Sequence, residues 1–110
     1  MPYDETLANK IRDGLKNKRN ITEKKMFGGL CFLLNGNMLC GVDHKSQLMI
    51  RTDPDTYETE LKHKHAHVMD FTGRPMKGLL YIHPDGTKRR DSIQKWLNKA
   101  INYVKKLPKK

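Results

Sequence analysis

The widest apolar stripe in this chain does most to constrain its fold. From about Arg89 to Leu107, the residues Ile93, Trp96, Leu97, Ala100, Ile101, Val104 and Leu107 recur at helical spacing and trace a broad apolar face. A helix cannot hide such a face alone, so a second layer must cover it, and the preceding sequence offers short apolar runs punctuated by Gly, Asn and Pro. A strand is expected around Glu23 to Phe27, interrupted at Gly28-Gly29 by a bulge or bend and resumed as Leu30 to Leu34. Asn35-Gly36 predicts a two-residue hairpin turn with Met38 to Val42 returning antiparallel, and a second turn at Asp43 to Ser46 leads into Gln47 to Arg51. This stretch reads as a three-stranded meander. Val68 to Phe71 and Leu79 to Ile82 are two further strands, and His83-Pro84-Asp85-Gly86 is a turn.

Two more helices complete the pattern. Leu7, Ile11 and Leu15, with Ala8 beside them, give a narrow apolar stripe from Asp4 to about Lys18, capped by Asp4 or Thr6 and ended by polar Asn17 to Asn20. Asp53-Pro54 places a cap before a first-turn proline and predicts a short helix to about Lys62. The expected fold is α+β in two layers: a mostly antiparallel five-stranded sheet with helices on one face, in the order α-β-β-β-α-β-β-α. The 110 residues suffice for one such domain, residues 1–110, with 107–110 a basic tail.

The formal charge of +10 is polarised along the chain. Residues 1–55 hold nine Lys or Arg against seven acids, residues 56–110 thirteen against five, and Gly86 to Lys110 nine against Asp91 alone. Such a surface favours phosphates, anionic membranes or acidic proteins without choosing among them. The start, Met-Pro-Tyr-Asp-Glu, lacks a basic segment followed by an apolar one, and no stretch approaches the ~20 apolar residues of a membrane span. A cytoplasmic protein with no membrane partner is therefore expected. Two cysteines are too few for a disulfide scaffold. Counting outward from Asn35-Gly36 sets Cys31 opposite Cys40, where a redox-linked bond is conceivable, but two small buried hydrophobes is the preferred reading.

Two loop-like stretches mix large apolar residues with Gly and Pro: Lys25-Met26-Phe27-Gly28-Gly29 and Met69-Asp70-Phe71-Thr72-Gly73-Arg74-Pro75-Met76-Lys77-Gly78. With Leu48-Met49-Ile50-Arg51 between them and the terminal helix after Leu79-Leu80-Tyr81-Ile82, they resemble the N-terminal domain family of TfoX/Sxy competence regulators. The resemblance runs from about Met1 to Pro108. It implies a fold like that of type III secretion chaperones, and a role linked to transcription, because full-length family regulators promote expression of DNA-uptake genes together with a cyclic-AMP receptor protein. Those regulators have a second, C-terminal domain, so the resemblance implies a stand-alone N-terminal module here. It supplies no catalytic residues.

The remaining candidates are weighed on their chemistry. At about 100° per residue, Lys95, Lys99 and Lys106 fall within about 40° of one another on the terminal helix, and Lys88, Arg89 and Arg90 extend that positive surface. This ridge suits phosphates or an acidic partner; a solvated outer face is the plainer reading. Arg74 either braces its loop against Asp70 or faces a ligand, and bracing is favoured. His63, His65 and His67 have chelating spacing but no fourth ligand, so no metal site is expected. Gly28-Gly29 and Gly73 precede strands rather than helices, which argues against a phosphate-binding loop. Ser46 and Ser92 lack a nucleophile context, and no cofactor fingerprint is present. The expectation is a non-enzymatic regulatory module without cofactor, contacting a protein partner, with DNA a further candidate through the basic surface. The alternative is a protein-interaction or homodimer module whose charge serves solubility.

Overall fold

The computed structural model describes residues 4–26, 28–43, 47–68 and 78–109. Arg74, Asp70 and nearly all of the second loop motif lie outside them, as does the end of the expected strand at Val68 to Phe71. Ten elements follow one another: α1 (Glu5–Leu15), β1 (Ile21–Met26), β2 (Gly29–Leu34), β3 (Asn37–Val42), β4 (Leu48–Arg51), α2 (Tyr57–Leu61), β5 (Ala66–Val68), β6 (Leu79–Ile82), a 3-10 helix (Pro84–Thr87) and α3 (Arg90–Val104). The strands form one sheet in the order β1-β2-β3-β4-β6-β5, every neighbouring pair antiparallel. The expected α+β architecture is present with six strands rather than five.

The sixth strand arises at the glycine pair. Gly28 has φ 76° and Met26 pairs with Gly29, so the chain reverses there and β1 runs back along β2 instead of continuing into it. Asn35 and Gly36, at φ 54° and 82°, make the expected hairpin turn between β2 and β3. Asp4 caps α1 as expected, its carboxylate accepting hydrogen bonds from the Thr6 and Leu7 amides at 2.8 and 3.3 Å. The second helix starts later than Asp53-Pro54 suggested. Asp53 accepts from the Asp55 amide at 2.9 Å and its carbonyl from the Thr56 amide at 3.0 Å, so these residues form a turn and Thr56 becomes the cap position of α2.

Helices α1 and α3 pack against each other and against the same sheet face, with α3 lying across β3 and β4. Beneath them Phe32, Leu39, Cys40, Val42, Leu48, Ile50, Leu80 and Ile82 meet Leu7, Ile11, Leu97, Ala100 and Val104 in the main core. Cys31 and Met49 are buried on the other sheet face, with Met38, Leu79 and Tyr81 around them.

The cysteines therefore do not oppose each other. Leu34 pairs with Asn37 and Leu33 with Met38, as the turn predicts, but Leu39 is an extra residue on β3, and beyond it Phe32 pairs with Cys40 and Cys31 with Gly41. A one-residue slip moves a side chain to the opposite face, so Cys40 enters the core under the helices and Cys31 joins Met49. Burial pushes both thiols above the usual thiol range. With Cβ vectors on opposite faces, no bond can close without rearranging the sheet. Native protein held in oxidised glutathione is expected to keep both thiols, titrating with Ellman's reagent only after guanidinium is added. A folded protein lighter by two hydrogens would sink this arrangement.

Candidate basic groove beside the last helix

The segment that ends α1 is a tight connection that points two cations outward. After Leu15 the Lys18 amide donates to the Leu15 carbonyl at 2.9 Å, and Asn20, at φ 64°, takes the left-handed conformation that Asn tolerates better than most residues. The Asn20 carbonyl then accepts from the Asn35 amide at 3.1 Å, tying this corner to the β2–β3 turn. Lys18 and Arg19 are thereby held beside the first residue of β1. Across from them α3 presents Asn98, Ile101 and Asn102, and its C-cap residue Lys105 continues the same side, at spacings of three and four residues.

Between these walls lies a cleft of about 480 Å³. Its floor is aliphatic: Ile21 and Leu34 are cross-strand partners on β1 and β2, and Ile101 of α3 closes it. Lys18, Arg19 and Lys105 form its rim, Asn98 and Asn102 supply amides, and among the described residues no acidic side chain lines it. All three cations are exposed, and none makes an ion pair with a described residue.

The other flank of α3, where Lys95, Lys99 and Lys106 were expected to form a ridge, has a different electrostatic character. Lys99 Nζ reaches Glu60 Oε2 on α2 at 2.9 Å and lies 5.1 Å from the Trp96 ring centre. Lys106 shares a cleft of about 280 Å³ with Asp53 and Glu60. Lys88 pairs with Asp85 at 3.3 Å, holding that carboxyl below its usual range, Arg89 with Asp91 at 3.2 Å, and Arg90 with Asp13 at 2.8 Å. Lys95 stands exposed at the mouth of a smaller hollow lined by His63, His65 and Trp96. Thus Lys88, Arg89, Arg90 and Lys99 are each matched by an acid, whereas Lys18, Arg19 and Lys105 have none among the described residues. Surface pairs of this kind add little stability, but they do reduce the field available to an anionic partner.

The histidines divide. His63 packs edge-on against Trp96 at 4.9 Å between ring centres, with His65 6.2 Å away, whereas His67 turns to His83 at 5.9 Å. Ala66 pairs with core residue Ile82, so the next residue, His67, falls on the opposite sheet face. Among the described residues no group of three His, Cys, Asp or Glu side chains is placed to hold a metal ion. No helix of the described residues is long and apolar enough to cross a membrane.

Sequence reasoning passed over Lys18 and Arg19 as the polar end of a helix. The available signal was the run Lys16-Asn17-Lys18-Arg19, four polar residues without an acid, but nothing local says that Lys105 and an aliphatic floor lie opposite.

With this geometry in place, a family model, that of the TfoX N-terminal domain, matches residues 13–103, most of the chain. The match takes in all six strands and every lining residue of the groove except Lys105. Comparison with curated proteins finds no match.

Proposed function

The chain belongs to the TfoX N-terminal domain family, and on that premise we propose that it is a non-enzymatic module of competence-type regulation. It works by contact between its basic helical layer and another macromolecule. The family match carries the regulatory part of this reading. The contact part is supported by the net charge of +10 and by the cations Lys18, Arg19 and Lys105 gathered along one flank of α3. A protein partner is preferred to DNA. The described helices are separated by strands and turns, and none forms a helix-turn-helix that would seat a recognition helix in the major groove.

Two measurements test this reading. Deleting the gene in its native cell is expected to change transcript levels of DNA-uptake genes, with recovery on re-expression; unchanged transcripts under competence-inducing conditions would overturn the regulatory role. In vitro, labelled duplex DNA is titrated at several salt concentrations. The protein-partner reading expects weak binding that disappears near physiological salt. It also expects Lys95→Gln, Lys99→Gln and Lys106→Gln together to flatten the salt slope by up to ~0.9 for each phosphate no longer neutralised. Tight, sequence-selective DNA binding that survives at physiological salt would replace a protein partner with DNA.

A further inference from the structure

We propose that the groove between the α1–β1 connection and α3 is a docking site for an acidic protein segment bearing one or two large apolar side chains. The apolar anchor sits on the Ile21–Leu34–Ile101 floor, and its flanking carboxylates meet Lys18, Arg19 and Lys105. This inference rests on the reading of the protein as a contact module and names the partner chemistry of one of its surfaces.

Three observations select this occupant. The first is charge: three exposed cations surround the cleft, and no described lining residue is acidic. An anionic partner therefore gains at every edge, and charge complementarity speeds and orients its approach. The second is the floor. Leu34 is 8% exposed, and Ile21 and Ile101 are half-buried, so apolar surface lies at the bottom of a cleft whose ~480 Å³ is within the usual range of ligand-sized sites. A phosphodiester backbone has nothing to place there. Single-stranded nucleic acid places its bases on aromatic platforms, and no described lining residue is aromatic. A Leu, Ile or Phe side chain fits both the chemistry and the space, as amphipathic segments do in other grooves. The third is the amide pair. Asn98 and Asn102 are exposed on one side of α3, where they can donate to carboxylate or main-chain oxygens of an incoming segment; Asn98 Oδ1 already accepts from Gln94 Nε2 at 2.9 Å.

Matched synthetic peptides and the full chain provide the test. One fluorescein-labelled peptide repeats Glu and Leu at helical spacing; its match carries Ser at every Leu; a labelled DNA duplex is the third probe. The Glu/Leu peptide is expected to bind, and the Glu/Ser peptide at least ~10-fold more weakly, since burying one leucine is worth about that factor. Lys18→Glu, Arg19→Glu and Lys105→Glu together are expected to weaken Glu/Leu binding at least ~10-fold. Asn98→Asp with Asn102→Asp, which puts negative charge inside the cleft on exposed positions, serves as an independent variant and is expected to weaken it severalfold. Lys24→Glu, Lys62→Glu and Lys64→Glu, an equal charge change away from the groove, is expected to stay within about twofold at physiological salt. Circular dichroism confirms that each variant is folded.

Equal binding of the two peptides, or equal weakening by the groove and distant triples, would overturn the proposal by showing charge attraction alone. So would DNA that displaces the Glu/Leu peptide and needs the same three cations. That last result would leave the regulatory role standing, whereas unchanged transcripts in the deletion strain would remove the role without touching the peptide result.

Discussion

Phe32→Ala is expected to lower unfolding free energy by about 3–5 kcal/mol, a large part of the ~5–15 kcal/mol that holds a typical domain together. Phe32 is 1% exposed and the largest fully buried side chain among the described residues. It stands in β2 opposite Cys40, where β3 bulges, and belongs to the cluster that α1 and α3 cover. Removing the ring takes away its transfer energy and leaves a cavity that two helices and three strands would have to collapse together to fill. Phe32→Leu keeps most of the volume and is expected to cost less than about 1.5 kcal/mol. Urea titration followed by the fluorescence of the single tryptophan, Trp96, measures both. A Phe32→Ala penalty under about 1 kcal/mol would mean that this face of the sheet is not the packed centre of the domain.

The adjacent glycines of the first motif are expected to respond in opposite ways. Gly29 begins β2, and a Cβ there would overlap the Val42 carbonyl oxygen and stand 3.0 Å from Asp43 Cα. Both obstacles are backbone atoms of the neighbouring chain segment and cannot swing aside as a flexible side chain would. Gly29→Ala is thus expected to cost about 3 kcal/mol, at the upper end of the usual overpacking range, by prising β2 from the end of β3. Gly28 is required for a different reason: its φ of 76° lies in the left-handed region. Asn adopts that region at modest cost, so Gly28→Asn is expected to lose less than about 1 kcal/mol. Thermal denaturation of the two variants distinguishes a requirement for space from one for backbone angle. If both lose equally, the close approach of β2 and β3 at Gly29 is wrong.

These glycines also show how far local patterns reach. The pair was legible as a place where the strand could not simply continue, and glycine's access to positive φ was the correct reason. Whether the chain bends or reverses depends on which strand it meets next, and the Met26–Gly29 pairing decides for reversal. The bulge at Leu39 was not legible. Alternation through Met38, Leu39 and Cys40 is broken because the core accepts both Leu39 and Cys40, each fully buried, and only the volume beneath α1 and α3 demands two consecutive residues there. Miscounting that one residue placed the cysteines on the same face when they are on opposite ones.

By itself the sequence determined what short-range physics controls: the apolar face of α3, the capped start of α1, the Asn35-Gly36 turn and the antiparallel runs that require a two-layer α+β domain. It also carried the family motifs. Tertiary structure alone decided which cations remain available. Lys99 is matched because α2 brings Glu60 to 2.9 Å, and Arg90 because α1 brings Asp13 to 2.8 Å. Lys18 and Arg19 meet Lys105 across an aliphatic floor because the end of α1 is tied to the β2–β3 turn and α3 returns alongside it. A charge is neutralised by whatever lies within a few ångströms of it, and for residues so far apart in the chain only the packing of helices on the sheet sets that distance.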